Sequence, residues 1–284
     1  MTVKAYACNK QQIRIGQGED VMARYISREI LCEAYTHLDI NLYSNKQALQ
    51  ELERKLKPFF EERAKFLLGD DVTVEIKFEP GSLKTRLTVL GSAGLIMLNT
   101  LTSYGSFRQG VEALSRDAAS LAESANLEVL FRTRTPYCDR INIERRKGVF
   151  GRVDDHLSKL DAIGIAISSS DLPRNDHDIQ QANALVDRLV DWNIQVSKLF
   201  TKLESPDTIA CVAEGLEYEL NKFTKTFPWS KRLQQSSLRG QLARADPGHH
   251  GKLVALAARL TTTVTSIQKD MTARHQQSGA DGAP

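Results

Sequence analysis

Cysteine is scarce in this chain: Cys8, Cys32, Cys138 and Cys211 are its four, no two lie close in sequence, and there is no C-x-x-C. That excludes a local zinc or redox motif and leaves buried, reduced thiols as the expectation. A start without an apolar stretch behind basic residues lacks the pattern of a secretory signal. The expected location is the cytoplasm, with peripheral membrane contact as the variant.

Charge of one sign is also lacking. Thirty-eight Lys and Arg against 35 Asp and Glu give a formal net charge of +3. Nucleic-acid binding then requires a local basic patch, because the global balance does not argue for it. No repeat of fixed period is found, and no G-x-x-x-x-G-K-[ST]. Gly16-Gln17-Gly18 lacks the third glycine of a dinucleotide fingerprint, and Gly91-Ser92-Ala93-Gly94 has the wrong spacing for a nucleophile elbow. The histidines, including His249-His250, form no metal-ligand pattern. The expectation is therefore no catalytic residue, no cofactor and no metal visible in sequence, which leaves open an enzyme whose site assembles only in three dimensions.

What is present is hydrophobic periodicity. Alternation at Val3–Cys8 and Ile13–Ile15 predicts two short strands. Val21, Tyr25, Ile26, Ile30, Ala34 and Leu38 recur at helical spacing, which predicts a helix from about Asp20. A second helix is expected after Asn45, with Pro58 kinking or splitting it and Gly69 ending it. Val72, Val74, Ile76 and Phe78 alternate with polar residues, and Pro80-Gly81 then turns the chain into Leu83, Leu87 and Val89. The expected hairpin pairs Phe78 with Leu83 and Val74 with Leu87. Another helix is expected from about Phe107 to Leu127. Beyond Gly148 the pattern is helical, with elements near 149–168, 176–204, 207–226 and 248–275.

The fold class is thus α+β, predominantly helical: a small antiparallel sheet near the N-terminus, then a helical bundle. The expected divisions are an α+β region over 1–131, a helical region over 149–275, and a disordered tail over 276–284.

Two stretches stand out. Arg86 and Arg108 bracket a run without any charge, 87–107. As one helix it would be roughly 31 Å long, about a hydrocarbon core. Thr88, Ser92, Asn99, Thr100, Thr102, Ser103 and the glycines at 91, 94 and 105 argue against a stable span. A buried core element is the plain reading. The functional one is a membrane or partner element carried by Leu87, Leu90, Leu95, Ile96, Met97, Leu98, Leu101, Tyr104 and Phe107. The second stretch, 132–147, reads as a basic connection. Arg132, Arg134, Arg140, Arg145, Arg146 and Lys147 are its candidate anion contacts, for nucleic acid or anionic lipid.

Two pieces of sequence carry a resemblance. Val74-Glu-Ile-Lys-Phe-Glu-Pro-Gly-Ser-Leu-Lys84 followed by Tyr104-Gly-Ser-Phe-Arg-Gln-Gly110 resembles a pattern in uncharacterised bacterial accessory proteins, often encoded near antiviral-defence or mobile-element genes. It implies no catalytic residue. The expectation drawn from all of this is a non-enzymatic accessory protein acting through 83–107, with a protein partner or conditional membrane contact. Nucleic-acid binding through 132–147 is the alternative.

Overall fold

The computed structural model describes residues 29–79, 82–101, 104–234 and 246–280. The strands anticipated at 3–15 lie outside them.

The described chain opens with strand β1 (Glu29–Leu38), in place of the expected helix. Ile30, Ala34 and Leu38 fit a helical period, but Cys32, Ala34, Thr36 and Leu38 equally fit a period of two. Tertiary context decides, because β1 is an inner strand and β-branched or small side chains suit a covered pleat. Helix α1 (Lys46–Leu68) follows; the Asn45 side chain accepts the Ala48 amide, and Gly69 closes it at φ 96°. Pro58 lies within α1 without dividing it. Strands β2 (Val72–Glu79) and β3 (Lys84–Gly91) form the hairpin.

Its register differs from the expected one by two residues: Val74 faces Val89, and Glu79 faces Lys84. Leu83 has left the ladder for the core. Its N–H donates to Ile40 O, and its C=O accepts from Leu38 N. A slip of two keeps every side chain on its intended face, so the hydrophobic pattern alone does not discriminate.

Helices α2 (Ala93–Leu101) and α3 (Phe107–Thr133) lead to strand β4 (Arg140–Arg146). The sheet is antiparallel throughout, ordered β2-β3-β1-β4. With α1 and α3 packed on each other and on the sheet, this β-α-β-β-α-β arrangement has the split, ferredoxin-like topology. Topology alone carries no function.

The remaining helices are α4 (Gly148–Ser168), α5 (Asp176–Phe200), α6 (Pro206–Lys222), α7 (Ser230–Gln234) and α8 (Pro247–Ala280). They pack in a circuit, α3 on α4, α4 on α5, α5 on α8, α8 on α6, and α6 back on α2. One contiguous core joins sheet and bundle. α3 buries Gly110, Ser115, Ala122, Asn126, Val129 and Leu130 in addition to the helical stripe Phe107, Val111, Leu114, Ala118, Leu121 and Ala125, because sheet, α1 and α4 cover it from several sides. Val190 and Ile194, which fit the α5 stripe in sequence, are exposed. α8 runs to Ala280, into the segment expected to be a tail. No helix among the described residues is long and apolar enough to cross a membrane.

Candidate functional site: the junction of α2 and α6

The described residues of the uncharged run comprise most of β3, all of α2, and 104–107 leading into the start of α3. Ser92 ends the strand, and its backbone carbonyl accepts the Ile96 amide to start α2. The first-turn amides of a helix have no intrahelical acceptor. Here they find partners from distant parts of the chain. The Gly94 amide donates to Thr208 Oγ1 (2.8 Å), and Thr208 donates in turn to Glu29 Oε2 (2.6 Å). Ala93, Glu204 and Ser205 also direct backbone N–H groups at the Glu29 carboxyl. Glu29 therefore sits between the N-termini of α2 and α6, where partial positive charge favours an acid. Burial nonetheless outweighs these donors and pushes its pKa up.

The approach of the two helices requires glycine at 94. A Cβ there would stand 2.7 Å from Thr208 N and 2.9 Å from Asp207 O, both backbone atoms. The Phe107 ring occupies the space over Gly215 in the same way. Leu87, Leu90, Ile96, Met97 and Phe107 are accordingly buried. Leu101 ends α2.

Among the residues of the run whose burial is described, the large apolar ones that reach the surface are Leu95, Leu98 and Tyr104. Leu95 and Leu98 are one turn apart on α2, and Tyr218 of α6 joins them; all four are between 42% and 50% exposed. Leu98, Tyr104 and Tyr218 border a shallow cleft of about 310 Å³ whose other walls include Cys211 and Glu214. Lys222 Nζ lies 3.8 Å from the Tyr218 ring centroid. The result is an aromatic and aliphatic face with a charged rim, a composition suited to protein recognition. Its α2 half is visible in the sequence as the uncharged run; Tyr218, Thr208 and Glu29 are not. Tyr218 stands alone among polar residues of α6, and nothing local ties Glu29 to a helix 179 positions away.

The basic stretch has a different fate. Residues 140–146 are an edge strand rather than a connecting loop, and the alternation of a strand divides their cations between two faces. Arg145 points to the helix side and pairs with Glu123 (2.8 Å). Arg146 points to the open side and pairs with Glu33 (2.9 Å) and Glu144 (2.8 Å). Arg132 is engaged by Glu128 (2.7 Å), and Lys147 lies 4.0 Å from Asp154. Arg134 closes α3 in the left-handed conformation at φ 51°, and Arg140 begins β4. These six side chains do not converge on one anion site.

The open face of the sheet is hidden from a sequence reading that takes β1 for a helix. Cross-strand register places Glu33, Tyr35, His37, Glu75, Lys77, Glu79, Lys84, Arg86, Glu144 and Arg146 on it. Buried Glu33 holds both Arg146 and Arg86, Arg86 also reaches Glu79 (3.3 Å), and its guanidinium lies 5.7 Å from the Tyr35 ring centroid. Hydrogen bonds from Asn142 and Arg146 hold the Glu144 carboxyl below its ordinary range. Four acids against four bases make a balanced network, not a phosphate platform.

Cys32 and Cys211 are buried, and burial pushes both thiols up to about 12. Cys138 is exposed on the turn before β4, against the expectation of burial. Among the described residues no group of three or more His, Cys, Asp or Glu is placed to hold a metal ion. A groove of about 760 Å³ between α4 and α6 contains Arg108, Asp161, Glu219 and Lys222. Arg108 pairs with Asp161 and Glu219, and Lys222 pairs with Glu219.

No protein-family model, curated protein or solved structure matches the chain. The two resembling pieces have structural work in this fold. Ser82 bonds His37 (2.6 Å), Leu83 fills the core, Ser106 caps α3, and Phe107 seats on Gly215.

Proposed function

We propose that this protein is a non-enzymatic accessory protein that works by binding another protein through the α2–α6 face. The observation that carries the reading is the cluster of half-exposed Leu95, Leu98, Tyr104 and Tyr218 where α2 and α6 are clamped together, the last three bordering one cleft. Rigid aromatic and aliphatic side chains on fixed backbone lose little entropy on binding and are the usual anchors of an interface. The resemblance to bacterial accessory proteins points the same way, since its second piece begins at Tyr104 on this face.

The test is a photo-crosslinking amino acid at Leu98 or Tyr218, with Arg63 on the exposed side of α1 as the control position. A discrete adduct from 98 and 218, absent from 63 and lost on Tyr104→Asp, is the expected result. Equal labelling from all three positions refutes the reading. A parallel flotation with anionic vesicles separates the membrane variant. Lipid binding lost on Leu98→Asp, with no protein adduct, would replace the protein partner by a bilayer surface.

A further inference from the structure

Three turns of α8 leave one face unfilled. His250, Gly251, Val254, Ala257, Ala258 and Thr261 recur there at helical spacing, about 16 Å from end to end at ~1.5 Å per residue. Thr226, in the connection after α6, and Ser230 and Leu233 of α7 form the facing wall. Between the two walls lies a cavity of about 560 Å³, a size that takes a small organic molecule. No Asp, Glu, Lys or Arg is among its described lining residues. The space is left by small side chains: a Cβ at Gly251 would meet nothing within 4 Å, and Val254 is 47% exposed.

Both walls are held apart. Beside the unfilled face, α8 is tied to the start of α5: Lys252 pairs with Asp176 (2.6 Å), and His249 Nε2 bonds to Pro173 O (3.1 Å). The facing segment is anchored by the buried, stacked rings of Phe227 and Trp229, 4.8 Å between centroids. Thr261 Oγ1 donates to Lys225 O (3.0 Å) and fixes one end of the gap. Two polar atoms of the lining side chains have no partner in the protein. Ser230 Oγ belongs to one wall and His250 Nε2 to the other, and both are buried without a hydrogen bond. Ser230 is only 7% exposed. An orphaned buried polar group is destabilising, so each one that persists calls for an explanation. Two of them on facing walls of one uncharged cavity share a single explanation: a bound molecule supplies the missing bonds.

We propose that this cavity is a binding site for an uncharged alkyl or aryl alcohol. A hydroxyl both donates and accepts, and imidazole Nε2 takes whichever role its tautomer gives it. One ligand hydroxyl therefore serves Ser230 and His250 together, while its apolar body covers Leu233, Val254 and Ala257. A carboxylate of the same length would leave water without a lysine or arginine in the described lining to pair with, and that burial is costly. The site is separate from the α2–α6 face and does not depend on its role.

Calorimetric titration of the full chain with 1-octanol, and with octanoate as the charged analogue, tests the proposal. Octanol binds saturably and one to one, and octanoate binds about tenfold more weakly or not at all. Ser230→Ala and His250→Phe each weaken octanol binding by roughly three- to tenfold, yet raise the melting temperature of the unliganded protein, because each removes an orphaned polar group. A purely structural role would lower the melting temperature and leave the affinity unchanged. Val254→Trp, at a half-exposed position, fills the cavity and abolishes binding with unchanged circular dichroism. The proposal is overturned by the absence of saturable octanol binding, by equal affinity for octanoate, or by binding that survives Val254→Trp. Ser230→Ala and His250→Phe proteins that lose stability and keep their affinity overturn it as well.

Discussion

Gly94→Ala is the most informative single perturbation of the junction. Alanine is ordinarily the better helix residue, by about 1 kcal/mol in an exposed interior. At 94 the added methyl would stand 2.7 Å from Thr208 N and 2.8 Å from the Asp207 carbonyl carbon. Those are backbone atoms of the first turn of α6 and cannot rotate away. Relief requires the two helix starts to separate by several tenths of an ångström. Overpacking of this kind costs about 1–3 kcal/mol. Separation also stretches the buried Gly94–Thr208 bond, and an orphaned buried group costs about 1–3 kcal/mol more. Against the propensity gain, the net expectation is a loss of about 1–5 kcal/mol. Urea denaturation at constant m-value measures it. Gly251→Ala is the control, because Gly251 lies in α8 and a methyl added there would meet nothing within 4 Å; it should gain up to ~1 kcal/mol. Equal behaviour of the two variants refutes the argument that α2 is clamped by close approach.

Glu29→Gln should flatten the pH dependence of stability. Burial raises the folded-state pKa of Glu29, so its contribution is complete below the unfolded pKa and is lost as pH rises through the folded value. Wild type should thus lose stability in that window relative to the variant, by at most about 1.4 kcal/mol per pH unit; parallel curves would contradict the assignment. Gly148→Ala should destabilise strongly, since Gly148 has φ 58° and a Cβ there would lie 2.3 Å from Ile30 O and Leu31 O; an unchanged melting temperature would count against that contact. In a Cys8→Ser background, Ellman's reagent should modify Cys138 at once, while Cys32 and Cys211, buried and held protonated, react only on unfolding. Three thiols reacting together in native buffer would be the contrary result.

Legibility in the sequence follows the range of the forces. Helices whose caps and stripes are local can be read: Asn45, Gly69, Asn175 and Pro206 all stand at or beside the ends of α1, α5 and α6. β1 reads as a helix because its even-numbered residues satisfy two periods at once, and only the neighbouring strands decide between them. The hairpin register is unreadable because both candidate pairings keep the same faces. The α2 half of the proposed contact face is legible as an absence of charge. Its α6 half is not, because Tyr218 comes to Leu98 only through the closure of the whole helical circuit.

The same junction bears on whether the uncharged run acts in place or by release. Freeing α2 exposes Ile96 and Met97, each worth about 1.5–3 kcal/mol of burial. It also separates the Gly94–Thr208 pair and uncovers Phe107, whose ring is seated on Gly215. The two aliphatic side chains and one hydrogen bond together come to about 4–7 kcal/mol, close to the entire stability of an ordinary domain. A released population would then be near one molecule in a thousand or fewer. Any membrane or partner that needed the free element would have its affinity reduced by that fraction. A partner that reads Leu95, Leu98, Tyr104 and Tyr218 where they stand meets no such reduction. The arithmetic favours a resident contact face over a conditional one, and it makes Gly94 the position where the two can be told apart. A substitution that loosens the clamp should weaken a partner that reads the fixed face and strengthen one that captures the released helix.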